Sequence, residues 1–191
     1  IPAYNEEEVL YTLYDRLENV INKLNNYEFE VLLINDGSKD NTLNILRELR
    51  KRDKRMCYIN LSRNYGKETA MIAGLDYVTG DCWIILDADL QDPPEIIPEM
   101  ISKWEEGHQV IYGKRKIRSG ESKFKLLTAK YFYRVLSYMA SIEIPKDTGD
   151  FRLMDRIVVE AFKEMPEQNR FIRGMVSWIG FDQVPLEYNR D

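Results

Sequence analysis

Four times in this chain a polar cluster stands where a short apolar run breaks off. The clusters are "PAYNEE" at 2–7, "NDGS" at 35–38, "SRNYGK" at 62–67 and "DADLQD" at 87–92. The runs before the last three, "FEVLLIN" at 29–35, "MCYINL" at 56–61 and "CWIIL" at 82–86, are too short for helices and apolar on both faces, so they read as buried strands. "QVIYG" at 109–113 reads as another. Between them the apolar spacing turns helical. It runs through Val9, Leu10, Leu13, Leu17, Val20, Ile21 and Leu24 over 7–25, and through Leu43, Ile45, Leu46 and Leu49 over 41–52. Residues 67–78 make a further helix before Gly80, and Pro94 suits the first turn of one over 94–105. This alternation predicts an α/β fold, a mostly parallel sheet flanked by helices. Ligands bind such sheets outside the carboxyl ends of the strands. One polar cluster there is a turn; four at successive strand exits outline a site.

A chain of 191 residues suits a single domain over 1–191 with one sizeable core. Its 27 Lys and Arg against 32 Asp and Glu give a formal charge of −5, so no nucleic-acid partner is expected. Cys57 and Cys82 each sit inside an apolar run and read as reduced core residues. No apolar run approaches the ~18 residues a membrane-spanning helix needs. The chain opens on what reads as the end of a strand, so further chain is expected before Ile1.

Asp87 and Asp89 lie two apart, and in an extended segment their side chains share one side, with Gln91 continuing the alternation. Two carboxylates and an amide oxygen form a hard partial shell suited to Mg²⁺ or Mn²⁺, with phosphate and water completing it. Asp92 falls on the other side and, before Pro93 and Pro94, is expected in the turn that starts the next helix. The "DGS" turn reads two ways. Ser38 or Asp40 caps a helix, or Asp36 accepts hydrogen bonds from a nucleoside, as acids after strands do in nucleotide-binding folds. Glu6 and the backbone around Pro2–Tyr4 suit ribose and base, although Asn5 as a plain helix cap explains the same loop. Lys67, at a helix start after Gly66, either closes a loop or holds phosphate.

In this order and spacing, "PAYNEEE", "NDGSKDNT", "SRNYGKETAMIAGL", "DADLQDPPE" and "DTGDFRLMDR" resemble the family 2 glycosyltransferases. More narrowly they are similar to the polyprenyl-phosphate sugar transferases, the branch that includes dolichyl-phosphate mannose synthase and bacterial undecaprenyl-phosphate glucosyltransferases. The resemblance implies a GT-A fold and inverting transfer from a nucleotide-sugar. It makes Pro2, Tyr4, Glu6 and Asp36 nucleotide-binding, to which the reading of the helix start adds Lys67, assigns Asp87 to nucleotide or metal, and makes Asp89 and Gln91 cation ligands. Arg115 and Arg134 would meet the lipid phosphate, and Asp150 and Arg152 would line the reaction centre with Asp89. Many members carry two acids where this chain has Asn35 and Asp36.

A phosphate monoester acceptor fits this reading chemically. With a second pKa of about 6 it is largely dianionic at neutral pH and needs cations more than a general base. Residues 114–134 supply eight basic residues against the single acid Glu121. Asp150 is then catalytic without being fixed as a base. Over 124–139, Leu and aromatic residues interleave with Lys and Arg, which suits a helix at a membrane interface or one packed on the sheet with a solvated basic face. "NRFIRGMVSWIGF" at 169–181 reads likewise, with Trp178 at the interface or in the core. The expectation is a UDP-sugar:polyprenyl-phosphate transferase at the cytoplasmic face of a cell membrane, with membrane helices after residue 191 and a homo-oligomer compatible with it. A family 2 transferase acting on a glycan or protein hydroxyl and a non-catalytic nucleotide-sugar-binding module are the competing readings.

Overall fold

Helices form where the apolar spacing places them, in a computed structural model that describes residues 1–116, 148–166 and 171–189. In chain order the elements are β1 (Pro2–Ala3), α1 (Leu10–Ile21), β2 (Val31–Asn35), α2 (Thr42–Arg52), β3 (Met56–Asn60), α3 (Lys67–Tyr77) and β4 (Cys82–Ile85). A 3₁₀ turn, Pro94–Ile96, leads into α4 (Ile97–Glu105), followed by β5 (Val110–Arg115), β6 (Thr148–Asp155), α5 (Arg156–Glu164), α6 (Ile172–Ile179) and β7 (Gln183–Tyr188).

One sheet has the order β1-β2-β3, all parallel; the other has the order β4-β6-β5-β7. In the second sheet β6 runs antiparallel to both β4 and β5, and β7 runs parallel to β5. The expected parallel majority holds, but β6 and β7 carried no strand signal. Phe151, Arg152, Leu153 and Met154 are all buried, so β6 shows no alternation. Pro185 in the middle of β7 argues against a strand, yet β7 lies at the sheet edge, where a missing ladder donor is tolerated.

Two apolar layers cover the sheets. One gathers Leu10, Leu13 and Leu17 of α1, Ile45, Leu46 and Leu49 of α2, and Ile97, Met100 and Ile101 of α4. The other gathers Met71 and Leu75 of α3, Val158, Val159 and Phe162 of α5, and Ile172 and Val176 of α6. Trp178 is 61% exposed on α6, so it is not part of that core. Cys57 and Cys82 are free thiols, each partly buried. A cavity of about 980 Å³, lined mainly by apolar side chains, lies beside Leu32 and Ile34 of β2 and Trp83 and Ile84 of β4. The polar chemistry lies elsewhere, at the strand exits. Among the described residues no helix is long and apolar enough to cross a membrane.

Candidate active site

The loops after β1 and β2 are laced into one wall. Ser38 Oγ accepts the Asn5 N–H at 2.9 Å, and Asn5 Oδ1 accepts the Lys39 N–H at 2.8 Å. Thr42 Oγ1 accepts the Glu6 N–H at 2.9 Å, while Glu7 Oε2 accepts the Asn41 N–H at 2.8 Å. Asn5 is therefore a tether between loops rather than a helix cap, and its φ of 56° places it in the left-handed region that Asn tolerates. Asp40 does serve the start of α2, where its Oδ1 accepts the Thr42 N–H at 3.0 Å.

Asp36 joins this wall to the third loop. Its Oδ1 accepts the Tyr65 N–H at 2.7 Å and its Oδ2 the Gly66 N–H at 2.9 Å. The carboxylate is buried, and it fixes the loop that launches α3 as well as facing the cleft. The same packing explains Gly37. Its φ is +66°, and a Cβ there would lie 2.2 Å from the backbone carbon of Arg63.

β4 and β6 supply the centre of the site. They pair Cys82 with Asp155 and Ile85 with Arg152. Continued past the end of β4, that antiparallel register sets Asp87 opposite Asp150. The Lys67 ammonium stands between them, donating to Asp87 Oδ2 at 2.7 Å and Asp150 Oδ2 at 2.6 Å. Arg173 of α6 donates to Asp150 Oδ1 at 2.9 Å. Burial alone would raise the Asp150 carboxyl, but the hydrogen bonds from Lys67 and Arg173 outweigh it and hold the group below its ordinary value. Asp87 moves the other way. Burial raises it, with the nearby charges of Asp150 and Asp89 acting in the same direction and Lys67 only partly offsetting them. Burial opposes charge on Lys67 as well, yet its two carboxylate partners raise its pKa and keep it an ammonium.

Above this centre is a cleft of about 260 Å³ lined by Pro2, Tyr4, Glu6, Asp36, Asn64, Lys67, Asp87 and Asp89. All six residues expected to bind nucleotide are brought together here, together with Asn64, which belongs to the "SRNYGK" cluster but was given no role of its own. The α3 N-terminus opens at the cleft through Lys67, where the helix dipole favours an anion. Burial raises the Glu6 pKa, and the negative field of Asp89, Asp40 and Asp87 adds to it. The cleft thus carries more negative charge than its own cations offset.

Two expectations are corrected, and the setting of Asp92 is sharpened. The segment carrying Asp87, Asp89 and Gln91 is a turn, not extended, with Leu90 at φ 61°. Asp87 and Asp89 still reach the cleft, whereas the lining does not include Gln91, whose backbone N–H donates to Asp89 Oδ1 at 3.1 Å. Asp92 lies in the bend before the 3₁₀ turn, as expected, but it is not exposed there. It is buried against Arg115, whose Nη2 donates to its Oδ1 at 3.2 Å, and against the Tyr188 hydroxyl. Arg152 does not line the cleft either. Its guanidinium is buried, donating to the backbone oxygens of Asp150 and Gly149 at 3.3 and 3.2 Å, and burial brings its pKa down to about 10. Arg134, most of the basic segment and Arg170 lie outside the described residues.

The donor set fits a divalent cation. Asp87 Oδ1 is buried with no hydrogen-bond partner among the described residues, and Asp89 offers a second, exposed carboxylate on the same cleft. Among the described residues no group of three or more His, Cys, Asp or Glu side chains is gathered around one point. The chain therefore supplies part of a coordination shell of hard oxygens, which suits Mg²⁺ or Mn²⁺ shared with a diphosphate.

Known proteins resemble this chain in sequence and in fold. An uncharacterized glycosyltransferase of Bacillus subtilis, YkcC, is 51% identical over all of this chain, which covers 59% of that protein. The bactoprenol glucosyl transferase of Shigella phage SfX is 42% identical over 190 residues, covering 62% of its length. The chain spans about three fifths of these relatives. Among solved structures, the mannosyltransferase PcManGT of Pyrobaculum calidifontis, in complex with GDP-Man and Mn²⁺, superposes with a TM-score of 0.66 at 18% identity, over 97% of this chain and 53% of that one. The glucosyl-3-phosphoglycerate synthase of Mycobacterium tuberculosis, in complex with Mn²⁺, UDP-glucose and phosphoglyceric acid, gives 0.61 at 19% identity, over 100% and 69%. The fold is thus that of the GT-A glycosyltransferases. The sequence model of glycosyl transferase family 2 matches residues 1–162, and the chain belongs to that family.

Proposed function

We propose that this chain is the catalytic part of an inverting transferase that moves a hexose from a UDP-sugar to a polyprenyl phosphate at the cytoplasmic face of a membrane. Glucose is the sugar favoured by the bactoprenol glucosyl transferase relatives. The observation that carries the reading is the Lys67-bridged pair Asp87 and Asp150, set beneath a cleft that holds an unpartnered buried oxygen, Asp87 Oδ1.

The placement of the described residues supports a role for each. Pro2, Tyr4, Glu6 and Asp36 form the nucleoside wall, already rigid before binding. Lys67 and the α3 N-terminus take up diphosphate charge. Asp87 and Asp89, with Gln91 if the turn rearranges, hold the Mg²⁺ or Mn²⁺, which when bound neutralises the leaving diphosphate as a Lewis acid. Asp150 orients Lys67 and Arg173. Its depressed pKa makes it a poor proton acceptor, which suits a nucleophile that arrives as an anion. Arg152, buried behind Asp150, stiffens the strand that presents it. Arg115, with Arg134, is assigned to the acceptor phosphate.

The test is to incubate membrane-reconstituted full-length protein with undecaprenyl phosphate, Mg²⁺ or Mn²⁺ and a panel of nucleotide-sugars, reading lipid products by mass. Glucosyl lipid from UDP-glucose is expected. Transfer only to glycan or protein hydroxyls would replace the acceptor, and binding of UDP without any turnover would make the chain a binding module.

A further inference from the structure

Asp92, Arg115 and Tyr188 close a triangle of hydrogen bonds. Arg115 Nη2 donates to Asp92 Oδ1 and Oδ2 at 3.2 and 3.3 Å, Arg115 Nε donates to the Tyr188 hydroxyl at 3.2 Å, and that hydroxyl donates to Asp92 Oδ1. The Asp92 side chain is 0% exposed. A buried carboxylate is costly unless it is paired, and a turn that only had to start a helix would need none.

The surroundings are fitted to this triangle. A Cβ on Gly149 would lie 3.0 Å from Arg115 Nη2 and 3.5 Å from Asp92 Oδ2. The Tyr188 ring packs edge-on against Phe151 at 6.0 Å, and a Cβ on Gly113 would lie 2.8 Å from Tyr188 Cε1. Four pieces of chain therefore meet at one point: the turn after β4, the end of β5, the start of β6 and the end of β7. Arg115 keeps about a third of its side chain exposed, and none of the triangle's bonds uses Nη1.

We infer that Asp92 and Tyr188 are positioning residues that fix the Arg115 guanidinium for a phosphate monoester. They also tie it to the turn bearing Asp89, so that occupancy of the cation and donor site strengthens acceptor binding. The inference rests on the acceptor reading above. Asp92 follows Gln91 directly, so any shift of the Asp89 turn on cation binding is passed to Arg115 through one fully buried carboxylate. Coupling of this kind is reciprocal.

Calorimetry on the full-length protein in nanodiscs tests it, with citronellyl phosphate as the probe, with and without UDP and Mn²⁺. Wild type should bind the phosphate more tightly with UDP and Mn²⁺ present. Tyr188→Phe and Asp92→Asn should weaken phosphate binding by about fivefold or more and erase that enhancement. Tyr188→Phe should leave UDP–Mn²⁺ binding within about twofold, a selectivity that general loosening of the fold would not give. Unchanged phosphate binding in Tyr188→Phe, which decides the matter if Asp92→Asn does not fold, overturns the positioning role and leaves the acceptor reading standing. No phosphate binding by wild type overturns the acceptor reading and the inference with it.

Discussion

Asp87 and Asp150 face each other across the continued β4–β6 register with the Lys67 ammonium between them, 2.7 Å from one and 2.6 Å from the other. Lys67 is the cation bonded to Asp87, while Asp150 also pairs with Arg173, so Lys67 is structural as well as anion-binding. Lys67→Met should cost about 1–2 kcal/mol, less than the ~3–5 kcal/mol of a fully buried broken pair, because the Lys67 side chain is 43% exposed and screened by solvent. Denaturant melts should show that loss, and UDP binding should weaken at least about tenfold because the diphosphate loses its cation. A variant as stable as wild type would mean that the bridge contributes nothing.

Asp89→Ala should behave in the opposite way. The residue is exposed and makes one local bond to the Gln91 N–H, so melting should barely change. Mn²⁺-dependent UDP binding should fall by about a hundredfold or more. Retention of metal-dependent binding would move the cation elsewhere.

Asp36→Ala removes the acceptor for two backbone donors, Tyr65 and Gly66 N–H. A loss of about 2–4 kcal/mol is expected, and Gly37→Ala, which combines a positive φ with a backbone clash, should be comparable. Hydrogen exchange should show residues 62–66 loosening first in Asp36→Ala. Uniform loosening of the whole fold would argue that the carboxylate has no local task.

The pH dependence carries two signs. Glu6 and Asp87 hold protons more tightly folded than unfolded, so their contribution to stability is present at low pH and lost as pH rises through the folded values. Asp150 is depressed, so its contribution is present above the ordinary carboxylate value and lost as pH falls through the lower folded one. A cation held at Asp87 favours the ionised carboxylate there and, through its field, at Glu6. Mn²⁺–UDP binding should therefore release protons and weaken as pH falls into the range where these raised carboxyls take up protons. Identical binding heats in buffers of different ionisation enthalpy would refute this.

If the acceptor arrives as a dianion, the acid limb of the rate profile belongs to the phosphate, near about pH 6, and not to Asp150. Asp150→Asn should lower the rate while leaving that limb in place. A limb that moves or vanishes in the variant would make Asp150 the titrating base.

Much of this was legible in the chain because it is local. Strand exits announce themselves when an apolar run meets "NDGS" or "DADLQD", and four such exits in an alternating α/β pattern converge by topology. Lys67 beside Asp87 could be expected as a neighbour in one site, but not as a bridge to Asp150, because the β4–β6 register is set by residues far apart in sequence. The burial of Asp92 was hidden for a related reason. Its neighbours Pro93 and Pro94 describe a turn correctly, while its partners Arg115 and Tyr188 lie 23 and 96 positions away. The alternation drawn through Gln91 failed at Leu90, whose left-handed backbone no side-chain pattern signals.

β6 returns antiparallel to β5, and an antiparallel pair can be closed by a hairpin of about two residues. Here residues 116–147 separate the two strands, and both ends of that stretch are anchored at the catalytic rim, at Arg115 and Thr148. Nothing in the sheet sets its length or composition. The β5–β6 pairing therefore holds whatever the connection between the two strands contains, so that connection can vary in sequence without disturbing the register that brings Asp150 to Asp87.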